Sequence, residues 1–423
     1  MMLRKKHSNK HIFSFYLRAS LWLAFRASSF GVVFLAVFLL FAGGCTAPSQ
    51  PPPEESINYL LSGGDLKIVV DGLAEPLVDK CGFVGMAIGI VTPERQLILT
   101  YGVKSKETKY PIKEDTFFQI GSVSKAFTSL LLVELENEGI ISPQTEVGDL
   151  LPDGIEFKSK SLREIKLEKL ASHSSGLSQD AMTLRMLWLA SRYAFTGSNI
   201  YEGLTPEDLL GYLSETEIDP EKDYKYCYSN IGYSFLGCLL AKTDKQGYRH
   251  LLGEKVLRPL GLKNTMFVVP QDQSWRIALG YSGELPPLLP RGIHVEPWEM
   301  NGNLAAAGGL YSTLEDMMLF LKENMGLVKT PLYEPMRKTH KKRIEANGGK
   351  FMGLGWFIQR LPASGAEVTY VDGLIGGNTS FVGFDPESGV GVVVLQNSCN
   401  MDDRISLTLL DRIIGAVKKK KQL

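Results

Sequence analysis

The chain has 423 residues, 44% hydrophobic and 22% charged, which is ample material for a folded core and excludes a disordered segment. Formal net charge is zero, yet residues 1–45 hold Arg4, Lys5, Lys6, Lys10, Arg18 and Arg26 and no acid, leaving 40 basic against 46 acidic residues. A mildly acidic body excludes a protein that tracks nucleic-acid phosphates, and the Lys418–Lys421 run is expected to be a solvated helix end.

In chain order, a basic stretch precedes the apolar run Phe30–Ala42, which ends in the small residues of Ala42-Gly43-Gly44-Cys45. This resembles a bacterial lipoprotein signal. It implies that residues 1–45 are a signal peptide ending at a lipidated Cys45, and that the body is tethered to a membrane of the bacterial cell envelope, facing the periplasm or exterior. An uncleaved membrane anchor is the alternative reading of the same run. Residues 46–57 form a Pro-rich linker, and residues 58–423 the folded body.

Within the body, "INYLLSGGDLKIVVDGLAEPLVDK" predicts a helical segment, and "VGMAIGIVTP" with "RQLILTYGV" predicts a β-hairpin. "SKAFTSLLLVELENEG" is apolar almost all round from Ala126 to Leu135, the pattern of a buried central helix. Residues of about 150–300 are expected to be mostly helical. Thr205, Pro206 and Asp208 mark one helix start, and a capping box near Thr313 marks another. "FMGLGWFIQ", "AEVTYVDG", "TSFVGFDP" and "VGVVVLQNS" predict an antiparallel meander, closed by the helix "RISLTLLDRIIGAVKKK". The expected fold is α/β (α+β): an antiparallel sheet built from both chain ends and flanked by helices, plus an inserted, mostly helical lobe, with a cleft between them.

Cys81, Cys227, Cys238 and Cys399 match no zinc spacing and are expected to be small apolar residues, with a Cys227–Cys238 pairing left open. The six histidines are scattered, so neither a metal nor another cofactor is expected.

The chemistry starts at Ser122 and Lys125. Three residues apart on a helix, they share a face, and a serine in a first turn keeps its own N–H free. A lysine at the head of an apolar helix loses hydration, its pKa falls, and it becomes able to accept the serine proton. Tyr228 and Asn230 lie about a hundred residues on, just before a helix. A phenol beside a lysine ammonium is expected to have a lowered pKa and to relay protons, and the Asn230 amide to bind a substrate amide. Asp372-Gly373 is expected to close a strand that lines the cleft and offers a backbone N–H to an oxyanion.

Ser-x-x-Lys, Tyr-x-Asn and a third strand motif, in this order and spacing, resemble the class C β-lactamase family. That family includes low-molecular-weight penicillin-binding proteins (D-alanyl-D-alanine carboxypeptidases and endopeptidases of the AmpH type) and related esterases. The phrases "LASHSSGL", "YSNIGYSFLG", "LGLKNTMF", "AAGGLYST" and "SFVGFDPESGVGVVVLQNS" extend the resemblance over nearly the whole body. It implies a β-lactamase/transpeptidase-like fold and a serine hydrolase acting on peptidoglycan-derived amides or β-lactams. Ser122 would be the acylated nucleophile, Lys125 its base and Tyr228 the proton shuttle. Asn230 would hold the acyl-side amide, Val371, Asp372 and Gly373 would line the substrate site, and the N–H groups of Ser122 and Leu374 would form the oxyanion hole. The family's third motif begins with Lys or His, where this chain has Val371, and Leu374 replaces a glycine. Recognition of a terminal carboxylate therefore lacks its usual cation. A carboxylesterase of the same fold and a non-catalytic envelope lipoprotein are the competing readings. His173 is expected to be structural, since the chain has no Gly-x-Ser-x-Gly elbow.

Overall fold

Strand β1 (Gly85–Val91) is buried along its whole length, so both of its edges and both of its faces need partners. A computed structural model, which describes residues 50, 52–151, 155–218, 225–400 and 405–422, supplies them all. The described residues fall in one unit, Thr46–Leu423, and Cys45 with the expected signal lies outside them. On one side β1 pairs with β2 (Gln96–Gly102), the expected hairpin.

The other neighbour of β1 comes from the far end of the chain. Strands β3 (Ile344–Ala346), β4 (Lys350–Met352), β5 (Phe357–Arg360), β6 (Glu367–Ile375), β7 (Asn378–Asp385) and β8 (Val390–Gln396) form the meander, and β8 docks on β1 with Ile88 opposite Val394. The result is an eight-stranded antiparallel sheet in the order β2-β1-β8-β7-β6-β5-β4-β3. "FMGLGWFIQ" forms two strands rather than one, because the chain turns at Gly353–Trp356, where the Gly353 N–H donates to the Trp356 carbonyl at 2.8 Å.

The expected linker at 46–57 is cut short, because helix α1 (Pro53–Leu61) starts inside it and buries Ser56 and Ile57, and Gly63-Gly64 separates α1 from α2 (Leu66–Cys81), so the expected single helical segment is two helices. The central helix α3 (Ser124–Asn137) has every residue from Ser124 to Val133 buried, with Phe127 stacked 4.2 Å from Phe320. The lobe carries α4 (Leu184–Thr196), α5 (Pro206–Ser214) and α6 (Asn230–Leu240), and Thr205 and Asp208 close the expected capping box of α5. Beyond Leu262 the lobe stops being helical: prolines at 270, 286, 287, 290 and 297 remove backbone donors, and the chain makes only 3₁₀ turns and the short strands Gly280–Ser282 and His294–Val295.

Helix α7 (Leu314–Asn324) lies against the sheet where Gly89 and Gly391 leave room: a Cβ on Gly89 would come within 2.3 Å of Met318 Sδ. The Thr313 hydroxyl accepts the Asp316 N–H at 3.3 Å, but the Asp316 carboxylate turns to the Asn264 N–H and the Thr265 hydroxyl, so the expected box is only half made. Helix α8 (Ser406–Gln422) covers the sheet's other face. Cys81, Cys238 and Cys399 are buried and Cys227 is exposed, and Cys227 and Cys238 do not pair.

Candidate active site

Ser122 does not sit in the α-helix itself. It is the middle residue of a 3₁₀ turn, Gly121–Val123, that feeds α3, and Gly121 enters that turn at φ +48°. The turn is tied to the sheet from below by the Ser380 hydroxyl, which donates to the Ile120 carbonyl at 2.7 Å. Among the described residues the Ser122 N–H makes no backbone hydrogen bond, which leaves it for a ligand.

Lys125 follows one turn later, inside α3, and is 2% exposed. Its ammonium reaches Ser122 Oγ at 2.9 Å, Asn230 Oδ1 at 2.9 Å and the Ala307 carbonyl at 2.5 Å. Burial pushes its pKa down to about 7, while the negative charges of Asp180 and Asp372 partly hold it up. In the neutral amine, two N–H groups still satisfy Asn230 and Ala307, and the lone pair is left for the Ser122 proton. That arrangement is a general base matched to neutral pH.

The loop before α6 brings in the second motif. Ser229 caps α6, accepting the Gly232 N–H at 2.9 Å, and this fixes Tyr228 and Asn230 on either side of the cap. The Tyr228 hydroxyl donates to Ser122 Oγ at 2.6 Å. Its pKa goes up, not down as the sequence suggested. Burial is the main cause, and Asp372, Tyr226 and Asp180 add to it. Lys125 stands 4.9 Å from the centre of the Tyr228 ring and makes no hydrogen bond to its hydroxyl among the described residues, so it does not offset the effect of burial. Tyr228 is therefore a phenol at rest and a proton donor.

His173 holds this loop. It adopts φ +58°, unusual for a residue with a Cβ, and both its ends are used: Nδ1 accepts the Ser229 N–H at 3.0 Å, and its carbonyl accepts the Cys227 N–H at 2.8 Å. Its ring lies 4.3 Å from that of Tyr228, and burial holds its pKa well below the usual range. His173 makes no hydrogen bond to Ser122 among the described residues; it is a neutral scaffold.

The third motif is in mid-strand rather than at a strand end, since β6 continues to Ile375. Gly376 and Gly377 both have positive φ, the type I′ geometry of a two-residue hairpin, so Ile375 and Asn378 close the ladder to β7 as a hydrogen-bonded pair. Alternation then directs the N–H groups of Leu374 and Asp372 away from β7. On that edge β5 pairs only as far as Tyr370, and the Gly121–Val123 turn fills the space beyond it. A Cβ on Gly121 would lie 3.1 Å from the Leu374 nitrogen, and one on Gly373 would lie 2.9 Å from the Ser122 nitrogen. The two N–H groups thus flank one point beside Ser122, as an oxyanion hole requires.

A scan of family models matches the beta-lactamase model over residues 70–416. The chain belongs to the beta-lactamase family. It is therefore a member of a family of serine hydrolases. A beta-lactamase of Providencia stuartii is 29% identical over 278 residues, covering 65% of this chain and 63% of that protein. The D-alanyl-D-alanine-carboxypeptidase/endopeptidase AmpH of Escherichia coli K12 is 24% identical over 341 residues, 77% of this chain and 83% of the relative. Among solved structures, a class C beta-lactamase superposes with a TM-score of 0.68 at 23% identity, over 82% of this chain and 95% of its own. A beta-lactamase/D-alanine carboxypeptidase from Pseudomonas syringae gives 0.64 at 22% identity, over 84% and 98%. The fold is that of the class C beta-lactamases.

Against the beta-lactamase pattern, Val371 is 4% exposed and packs in the apolar core with Ile375, so it puts no polar group into the cleft. Asp372 faces the other way and is open to solvent.

Sequence reasoning missed Asp180, for which no motif gives a signal. Its Oδ1 accepts Asn230 Nδ2 at 3.2 Å and the Tyr201 hydroxyl at 3.3 Å. It orients the Asn230 amide, whose oxygen is already held by Lys125, so one Asn230 N–H remains for a substrate carbonyl. Because Asp180 favours the charged form of Lys125, Asp180→Asn is expected to lower the lysine pKa further. The ascending limb of kcat/KM against pH should then move to lower pH; a limb that stays in place or moves up counts against this coupling.

Proposed function

We propose that the protein is a serine hydrolase working through an acyl-enzyme on Ser122, with amides of the D-alanyl peptidoglycan type, including β-lactams, as its substrate class. The observation that carries this is the double contact on Ser122 Oγ, from Lys125 at 2.9 Å and from Tyr228 at 2.6 Å, with Lys125 held near neutrality. The names of its relatives support the substrate class, as does the envelope location expected from the N-terminus.

In acylation, neutral Lys125 takes the Ser122 proton as Oγ attacks the carbonyl carbon. The tetrahedral oxyanion is received by the Ser122 and Leu374 N–H groups. Tyr228 gives its phenolic proton to the leaving nitrogen, and the amine departs. In deacylation the tyrosinate takes a proton from water, hydroxide attacks the ester, and Lys125 returns its proton to Ser122 Oγ. Both side chains end as they began.

One observation favours a carboxylesterase as the second reading: residue 371 is an apolar core side chain, so a substrate without a terminal carboxylate loses nothing there. Labelling with a fluorescent penicillin and with a fluorophosphonate separates the readings. Wild type is expected to form a covalent adduct with both, and Ser122→Ala with neither. Labelling by fluorophosphonate alone selects the esterase, and no adduct with either reagent overturns the acyl-enzyme.

A further inference from the structure

The cleft lacks a cation at residue 371 but does not lack one altogether. Strand β6 presents Leu374, Asp372 and Tyr370 on one face, because alternate residues of a strand point the same way. Next to Tyr370 on that face is Phe357 of β5, its ring 5.4 Å away. Lys350, at the start of β4, reaches across both rings, 5.6 Å from each centroid, and donates to the Tyr370 hydroxyl at 2.9 Å. The Tyr370 hydroxyl in turn donates to Gln359 Oε1 at 3.0 Å. The ammonium has three donors, and this is its one hydrogen bond among the described residues. Two aromatic faces and a phenol hold it in place, and two N–H groups remain.

This patch is continuous with Ser122. Tyr226, two residues before Tyr228, packs its ring edge-on to Phe357 at 6.1 Å. Burial raises the Asp372 carboxyl above the usual carboxylate range, and the charge of Lys350, then that of Lys125, pulls it partly back. Lys125 is committed to Ser122, so Lys350 is the cation facing this part of the cleft. Tyr370 is four residues from Leu374, about 13 Å along an extended strand. A leaving group of one or two amino acids, at about 3.5 Å each, is too short to cover that distance, whereas an extended leaving group of four residues reaches it.

We propose that Lys350, carried on Tyr370 and Phe357, is a specificity-determining residue that receives a carboxylate at the far end of a four-residue leaving group, in place of the cation missing at residue 371. Asp372 stands between this site and the oxyanion hole and repels a carboxylate placed too near the scissile bond. The pair therefore selects for length as well as charge. This reading rests on acyl transfer at Ser122, and its test is built to fail separately from that one.

The probes are N-acetyl-D-alanyl-tetraglycine as the free acid and as its carboxamide. The ratio of kcat/KM, acid over amide, is expected to fall about tenfold or more in Lys350→Met, as for loss of a charged hydrogen bond. It should recover in Lys350→Arg and rise in Asp372→Asn. A purely structural Lys350 would slow both probes together and leave the ratio unchanged, which overturns the proposal. A second arm needs no turnover: with Ser122→Ala as background, calorimetry should give tighter binding of the acid than of the amide, and Lys350→Met should erase the difference. Equal binding of the two probes in that background overturns the carboxylate site, whatever the labelling of Ser122 shows.

Discussion

Replacing Lys125 by methionine is expected to slow acylation of Ser122 by about 10²–10⁴-fold and, at the same time, to change how stability depends on pH. The kinetic effect follows from losing the base 2.9 Å from Oγ. In wild type the acylation rate should climb through about pH 7 as the amine loses its proton, and in the variant that limb should vanish. The stability effect has a definite sign. Lys125 titrates at about 7 when folded and near the ordinary lysine value of 10.5 when unfolded, so between these the unfolded chain binds more protons. Wild-type stability therefore carries a contribution that rises with pH across that window, by about 1.4 kcal/mol per pH unit, and the variant lacks it. Urea titrations at pH 7, 8 and 9 should show wild type gaining on Lys125→Met at each step. The slope is independent of what it costs to leave the Ala307 carbonyl without its partner, because that cost does not change with pH. A difference that stays constant over the window means that the lysine is charged in the folded protein, and sinks its role as a base.

The lysine's burial is also the point at which the sequence is most informative. An apolar helix with a cation in its first turn admits few explanations, and the i, i+3 spacing alone places Ser122 and Lys125 side by side. The strand meander is visible for a similar reason: Val, Ile and Phe alternate between glycine turns, and register follows from turn length. Features set by long-range contacts are not visible in this way. Asp180 matters because a loop brings it to Asn230, fifty positions away, and Lys350 because Tyr370 and Phe357 stand beside it on neighbouring strands. The Tyr228 pKa moves against the sequence-based expectation because a sequence shows which charges lie near but not how much water is lost. The half-made box at Thr313 has the same origin, since Asp316 finds better donors in the segment at 264–265 than in its own helix.

Gly373→Val should be at least as damaging as loss of the base, although residue 373 has no side chain to contribute. Any Cβ there would lie 2.2 Å from the Ile120 carbonyl, 2.6 Å from Ser380 Oγ and 2.9 Å from the Ser122 nitrogen. Two of the three obstacles are backbone, so the clash cannot be relieved by a rotamer change. The turn Gly121–Val123 has to move off β6, taking the Ser122 N–H away from that of Leu374. Losing one oxyanion donor costs about 10²–10³ in rate, and displacing the nucleophile by about 1 Å costs about 10² more. Overpacking at such a position is worth about 1–3 kcal/mol of stability, so the variant should fold with a lower Tm. The predicted signature is an unchanged far-ultraviolet circular dichroism spectrum with fluorophosphonate labelling slowed at least about a thousandfold. Adding Ser380→Ala removes the Oγ clash and leaves the Ile120 carbonyl in place, so the double variant should remain as slow as the single one. Recovery of labelling in the double variant would show that the side chain, not the carbonyl, sets the limit, and that the oxyanion geometry does not depend on how closely the turn approaches β6.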